Sequence, residues 1–284
     1  MAPPKQSSIV RFYDPHVKAK DALGRTQEQI LAWPNSQLEN SHNYIQMLFP
    51  LPEGSPFNYA APIIDLETME AFRSNSELRQ RLRASFERML TFYGFTTSIH
   101  PEPEIENKED AEKQDHHASG TEEASNTTPA TSKTEGGNPE VRIPATATSE
   151  TTTKTATKAV TAEAASDKLE PSTPRPAPEA SPFGYFVVRG PNFRKASRNW
   201  AVRMDHNHLR ITRILRCLRV LGLQKECDAF FAALKRVYDH PSINIGPRSL
   251  EFWTRAWERP LYMAPDDEEC DWLKVWEKAQ QEAK

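Results

Sequence analysis

Apolar residues recur along this 284-residue chain at steps of three and four, the spacing that lines one face of a helix. The clearest case is Leu78, Leu82, Phe86, Met89, Leu90 and Tyr93. Asn75 and Ser76 precede it as N-cap residues, and Gly94 follows where a C′ glycine belongs. Upstream, Thr26 is placed to cap a short helix through Ile30, Leu31 and Trp33 that stops before Pro34. Asn40 or Ser41 opens another, with Tyr44, Ile45, Leu48 and Phe49 on its apolar side and Pro50 and Pro52 ending it. Asp65 caps a helix over residues 66–73. Further along, Asn207 precedes a helix carrying Leu209, Ile211, Ile214, Leu215, Leu218 and Leu221, closed by Gly222. Another carries Cys227, Phe230, Phe231, Leu234, Val237 and Tyr238. Gly246 and Pro247 open a helix with Leu250, Trp253 and Trp257 on one stripe, and a last helix from about Asp271 offers Trp272, Leu273 and Trp276. No segment alternates apolar and polar residues over any length, so no sheet is predicted and the fold class is all-α.

The pattern fails between residues 97 and 182. Those 86 residues contain no Phe, Trp or Tyr; they hold 23 Ser/Thr, 13 Ala and 10 Pro, and 16 Asp/Glu against 8 Lys/Arg. Such a stretch cannot bury enough apolar area to offset chain entropy, so it reads as a disordered acidic linker of net charge −8. The whole chain has a net charge of −3, so the remainder carries +5. The two flanking segments are each near the lower limit for an independent core. One helical domain built from residues 10–96 and 183–262, with residues 263–284 as a terminal helix or tail, buries more surface than two small ones. Loop closure across the insert costs entropy only logarithmically in its length.

Composition narrows the function classes. No apolar run reaches the ~18–20 residues of a membrane-spanning helix, and the amino-terminal residues lack a secretory pattern. Three scattered cysteines, Cys217, Cys227 and Cys270, suit reduced thiols rather than a disulfide scaffold or a zinc site. The expectation is a soluble intracellular protein. No HExxH, GxSxG, P-loop or GxGxxG pattern is present, so no catalytic residue, metal or cofactor is assigned and the protein is not expected to be an enzyme. His206 and His208 flank Asn207 without further ligands at metal spacing, and read as capping or hydrogen-bonding groups. The tryptophans Trp253 and Trp257, with Glu258 beside them, read either as helix-packing core or as an aromatic pocket with a carboxylate.

Residues 189–219 are more informative. Nine Lys/Arg stand there against one acid, and Arg210, Arg213, Arg216 and Arg219 step by three along one helix. A stripe of this kind suits phosphate, nucleic acid or an acidic peptide. It equally suits arginines paired to neighbouring helices or to the acidic insert, which is the favoured reading.

Several strings are longer and rarer than helix packing requires: Asn40 to Gln46 (NSHNYIQ) running into Leu48 to Leu51 (LFPL), RASFERMLTFYGF from Arg83 to Phe95, and Asn199-Trp200 followed by HNHLRITRIL from His206. Together with Phe252 to Trp257 they resemble the conserved domain of the opioid growth factor receptor family. The resemblance spans most of residues 10–96 and 184–260, interrupted by the acidic insert. It implies an all-helical, non-enzymatic domain in a receptor for enkephalin-type growth-regulating peptides. It further implies a peptide or protein partner, no transmembrane segment, peripheral membrane association, and a nuclear, cytoplasmic or perinuclear location. Two functions follow: a signalling receptor with candidate binding residues Arg210, Arg213, Arg216, Arg219, His206, His208, Trp253, Trp257 and Glu258, or, as the alternative, a nucleic-acid-associated protein using the basic face of residues 189–219.

Overall fold

The computed structural model describes residues 6–54, 58, 61–102 and 185–282. The chain begins with four short helices, α1 (Ser8–Tyr13), α2 (Gln27–Leu31), α3 (Asn35–Asn40) and α4 (Tyr44–Leu48). Then come α5 (Leu66–Ser74) and the long α6 (Ser76–Tyr93), followed by a strand β1 (Phe95–Ser98). Past residue 184 the order is β2 (Phe186–Arg189), α7 (Phe193–Ala196), a 3-10 turn, α8 (His206–Val220), α9 (Gln224–Tyr238), α10 (Pro247–Glu258) and α11 (Asp271–Glu282).

Helices predominate, and α6 forms as its sequence dictates. Asn75 Oδ1 accepts from the backbone N–H of Glu77 at 2.8 Å, satisfying one of the donors that the first turn leaves free. Leu78, Leu82, Phe86, Met89 and Leu90 are buried along one side. Gly94 ends the helix at φ 90°, where a Cβ would stand 2.7 Å from Phe193 Cα, so both its conformation and its space exclude other residues.

Three expectations are corrected. A two-stranded antiparallel sheet exists, with Phe95 opposite Arg189 and Ser98 opposite Phe186. Four residues per strand are too few to show alternation, but Thr96 and Thr97 face Val188 and Val187, four β-branched residues suited to pleated backbone. The sheet also absorbs Thr97 and Ser98 from the segment read as linker; residues 103–182 of that segment lie outside the described residues. Finally, Asn40 and Ser41 do not open a helix. They close α3, Ser41 donating its N–H to Gln37 O, and α4 starts at Tyr44. The helix over Ser8–Tyr13, where Ile9, Val10, Phe12 and Tyr13 are buried, is too short for a period to be read.

The described residues on both sides of 103–184 form one compact unit. Phe86 of α6 and Phe230 of α9 meet edge to face at 5.4 Å, and Phe95 and Tyr93 pack on the same Phe230 ring. The Trp200 indole donates to Tyr93 O at 3.0 Å. Leu215 and Phe86 are both fully buried in this core, as their stripes predicted. Helix α11 belongs to it as well: Leu273 is buried, and the Arg73 guanidinium lies 4.8 Å from the Trp276 ring centre.

Arginines close the helix ends. The carbonyls of the last turn lack partners within a helix and carry the negative end of its dipole. Arg73 donates to Arg219 O and Val220 O at the end of α8, and Arg88 donates to Leu31 O and Trp33 O at the end of α2. The charge of both arginines is therefore used structurally.

Candidate functional site

A groove of about 350 Å³ opens between α4, α8 and α10. One wall is His42, Ile45 and Gln46 with the segment Leu51 to Gly54; the other is the outer face of α8 from His206 to Arg216. Phe252 and residues 264–266 close the far side. Helix α8 is fixed at its start by Asp205, whose carboxylate accepts from Asn207 N–H at 2.8 Å. The first wall is held by Ile64 N–H donating to Leu51 O at 2.9 Å.

The four stripe arginines part ways at this groove. Arg210 is buried and clamps α3, donating to Leu38 O at 3.2 Å, Glu39 O at 3.1 Å and Ser41 O at 2.7 Å, with its guanidinium 5.6 Å from the Tyr44 ring centre. Arg216, only 1% exposed, forms an ion pair with Glu53. Arg219 turns away from the groove and donates to Ala256 O at 3.0 Å. Arg213 is half-buried on the groove and makes no ion pair or hydrogen bond among the described residues, its Nε being buried without an acceptor. Burial holds its guanidinium below the usual arginine range. The four do not form a continuous surface stripe. Two are interior, one ties helix to helix, and one faces a cavity, so a nucleic-acid backbone finds no row of phosphate contacts here.

The histidines also separate. His206 sits at the rim, 3.3 Å from Glu39 Oε1 and 3.5 Å from Asp205 Oδ2, with its ring 5.4 Å from that of His42. His208 is buried. Its Nε2 lies 2.7 Å from Trp200 O, which can only accept, so Nε2 carries the proton and Nδ1 accepts from Ser249 Oγ at 2.7 Å. Burial pulls its pKa below the ordinary histidine value. His208 is a structural link between α8, Trp200 and α10.

The aromatic pocket with a carboxylate does not form from Trp253, Trp257 and Glu258. Trp253 is buried and donates its indole N–H to His208 O at 3.1 Å. Trp257 stacks on Phe231 at 4.4 Å and donates to Asp228 Oδ1 at 2.8 Å. Glu258 is exposed on a separate open hollow beside Tyr238, Leu250 and Arg259. Both tryptophans are packing residues, the alternative their spacing allowed. Groove residues that composition did not single out are His42, Ile45, Glu53, Leu209 and Phe252. Of these, His42, Ile45, Leu209 and Phe252 lie within the strings that looked non-generic, which was the available signal.

Burial pushes the Cys217 and Cys227 thiols up, away from thiolate chemistry. Among the described residues no group of three His, Cys, Asp or Glu is placed to hold a metal ion, and no helix is long and apolar enough to cross a membrane.

Residues 3–114 match the opioid growth factor receptor (OGFr) conserved region. Among curated relatives, the chain is 50% identical over 58 residues to the opioid growth factor receptor of Rattus norvegicus, covering 20% of this chain and 10% of that protein. It is 46% identical over 57 residues to that of Homo sapiens, covering 20% and 8%, and 31% identical over 97 residues to opioid growth factor receptor-like protein 1 of Xenopus tropicalis, covering 34% and 19%. The chain thus spans about a tenth of the length of the first two relatives. No solved structure matches. The matched region holds α1 to β1 and one wall of the groove, while α8 lies beyond it. Over residues 3–114, then, this chain carries the conserved region of the opioid growth factor receptor family.

Proposed function

We propose that this protein is a non-enzymatic peptide-binding receptor of the opioid growth factor receptor type, and that the groove between α4, α8 and α10 holds the peptide. One observation carries the reading: the two strings that stand out in the sequence, around His42 to Gln46 and His206 to Leu215, both supply lining to a single groove. A cavity of about 350 Å³ with apolar walls and a few polar groups suits a short ligand better than a flat protein interface. The relatives' names support a receptor role, and Ile45, Leu51, Leu209 and Phe252 offer apolar contact to aromatic or aliphatic side chains.

Calorimetric titration with the enkephalin-type pentapeptide Tyr-Gly-Gly-Phe-Met tests it. Saturable one-to-one binding is expected, weakened roughly tenfold by Leu209→Gln, since an apolar side chain newly covered by ligand contributes on the order of 1–2 kcal/mol. Leu209 is 63% exposed in the free protein, so this change leaves the core untouched. Absence of binding, or equal binding by the Leu209→Gln protein, would refute the assignment.

A further inference from the structure

Three arginines line the groove, and two already have acceptors. Arg210 is occupied by the carbonyls at the end of α3 and by Asn207, and Arg216 by Glu53. Arg213 alone is left without an acceptor. A buried guanidinium N–H with nothing to donate to costs free energy, which an acceptor carried by a ligand would offset. Leu209 stands one turn before Arg213 on the same face of α8, and Phe252 and Ile45 also line the cavity. Asp266, the acid at the exposed rim, makes no ion pair with Arg213. Among the described residues the groove therefore offers one guanidinium without a hydrogen-bonded or ion-paired acceptor beside an apolar wall. Buried Arg216 and Glu53 behind it also keep one polar atom or more unpartnered each, Nε and Nη1 of the arginine and Oε2 of the acid.

Resting on the peptide-binding reading, we propose that Arg213 receives the C-terminal carboxylate of the bound peptide, with the last, apolar side chain lodged against Leu209 and Phe252. Guanidinium and carboxylate match as a planar fork, and the pairing is strongest where water is excluded, as at a half-buried site. A C-terminal carboxylate satisfies the geometry better than an acidic side chain. It sits on the backbone itself, so the adjacent side chain reaches the apolar wall without a polar spacer.

The experiment compares Tyr-Gly-Gly-Phe-Met as free acid and as C-terminal amide on the full chain, with wild-type protein and Arg213→Gln. On wild type, the acid is expected to bind about ten- to hundredfold more tightly than the amide, the range for a charge-assisted hydrogen bond. On Arg213→Gln the two peptides should bind alike, at the level of the amide. Equal affinity on wild type overturns the assignment of Arg213 while leaving the peptide-binding reading in place, and so does discrimination that survives in Arg213→Gln. Binding of neither peptide overturns both. Thermal melting checks that the variant folds; if it does not, the acid–amide difference on wild type decides by itself.

Discussion

Arg216→Met is expected to destabilise the protein by about 3–5 kcal/mol, because it strands the Glu53 carboxylate in a buried site. The Arg216 side chain is 1% exposed and that of Glu53 7%, so each is largely shielded from water when its partner is removed. The Coulombic gain of such a pair roughly offsets its desolvation, and the large cost arises only when one half is left behind. Replacing both, as Arg216→Met with Glu53→Leu, should therefore recover most of the loss despite removing the ion pair. Urea unfolding of the two variants checks this. A single variant within about 1 kcal/mol of wild type would mean that water reaches Glu53 in the folded protein.

Phe230→Ala should cost about 3–5 kcal/mol, the usual range for deleting a buried ring and leaving a cavity. Phe230 touches Phe86 at 5.4 Å, Phe95 at 6.1 Å and Tyr93 at 6.4 Å, all from the segment before residue 103. The cavity thus opens at the seam between the two segments. Both should melt together at a lower temperature, in one transition seen alike by circular dichroism and by tryptophan fluorescence. If the amino-terminal helices kept their original melting temperature while the remainder unfolded early, the two segments would be separate cores.

Long helices were legible from their apolar repeats, and the five-residue α2 from its Thr26 cap. Helices α6, α8, α9, α10 and α11 each run 12 residues or more and were visible through their apolar repeats. Helices α1, α3 and α7 have four to six residues, too few for a period to emerge, and the four-residue strands offered two β-branched pairs and nothing else. The arginine stripe was misleading for a specific reason. On α8, Ile211, Ile214, Leu215, Cys217, Leu218 and Val220 are all buried, which surrounds most of the helix with protein. Arginines interleaved among such residues have little solvent to face. Arg210 and Arg216 accordingly met a helix end and an acid from far away in sequence, Glu39 and Glu53, partners that spacing cannot reveal. The same holds for Trp253 and Trp257, whose indole N–H groups found a carbonyl on α8 and a carboxylate on α9. The groove itself was legible only as two uncommon strings; their facing one another is a property of the fold.

The central claim is that the ligand lies between those strings. Its most direct test is photocrosslinking of the full chain with a pentapeptide carrying benzoyl-phenylalanine at the fifth position, followed by mass spectrometric mapping of the attachment site. The groove account predicts attachment on α8 near Leu209 or on α10 at Phe252, abolished by excess unlabelled Tyr-Gly-Gly-Phe-Met. Competable attachment instead at the hollow formed by Tyr238, Leu250 and Glu258 would contradict it.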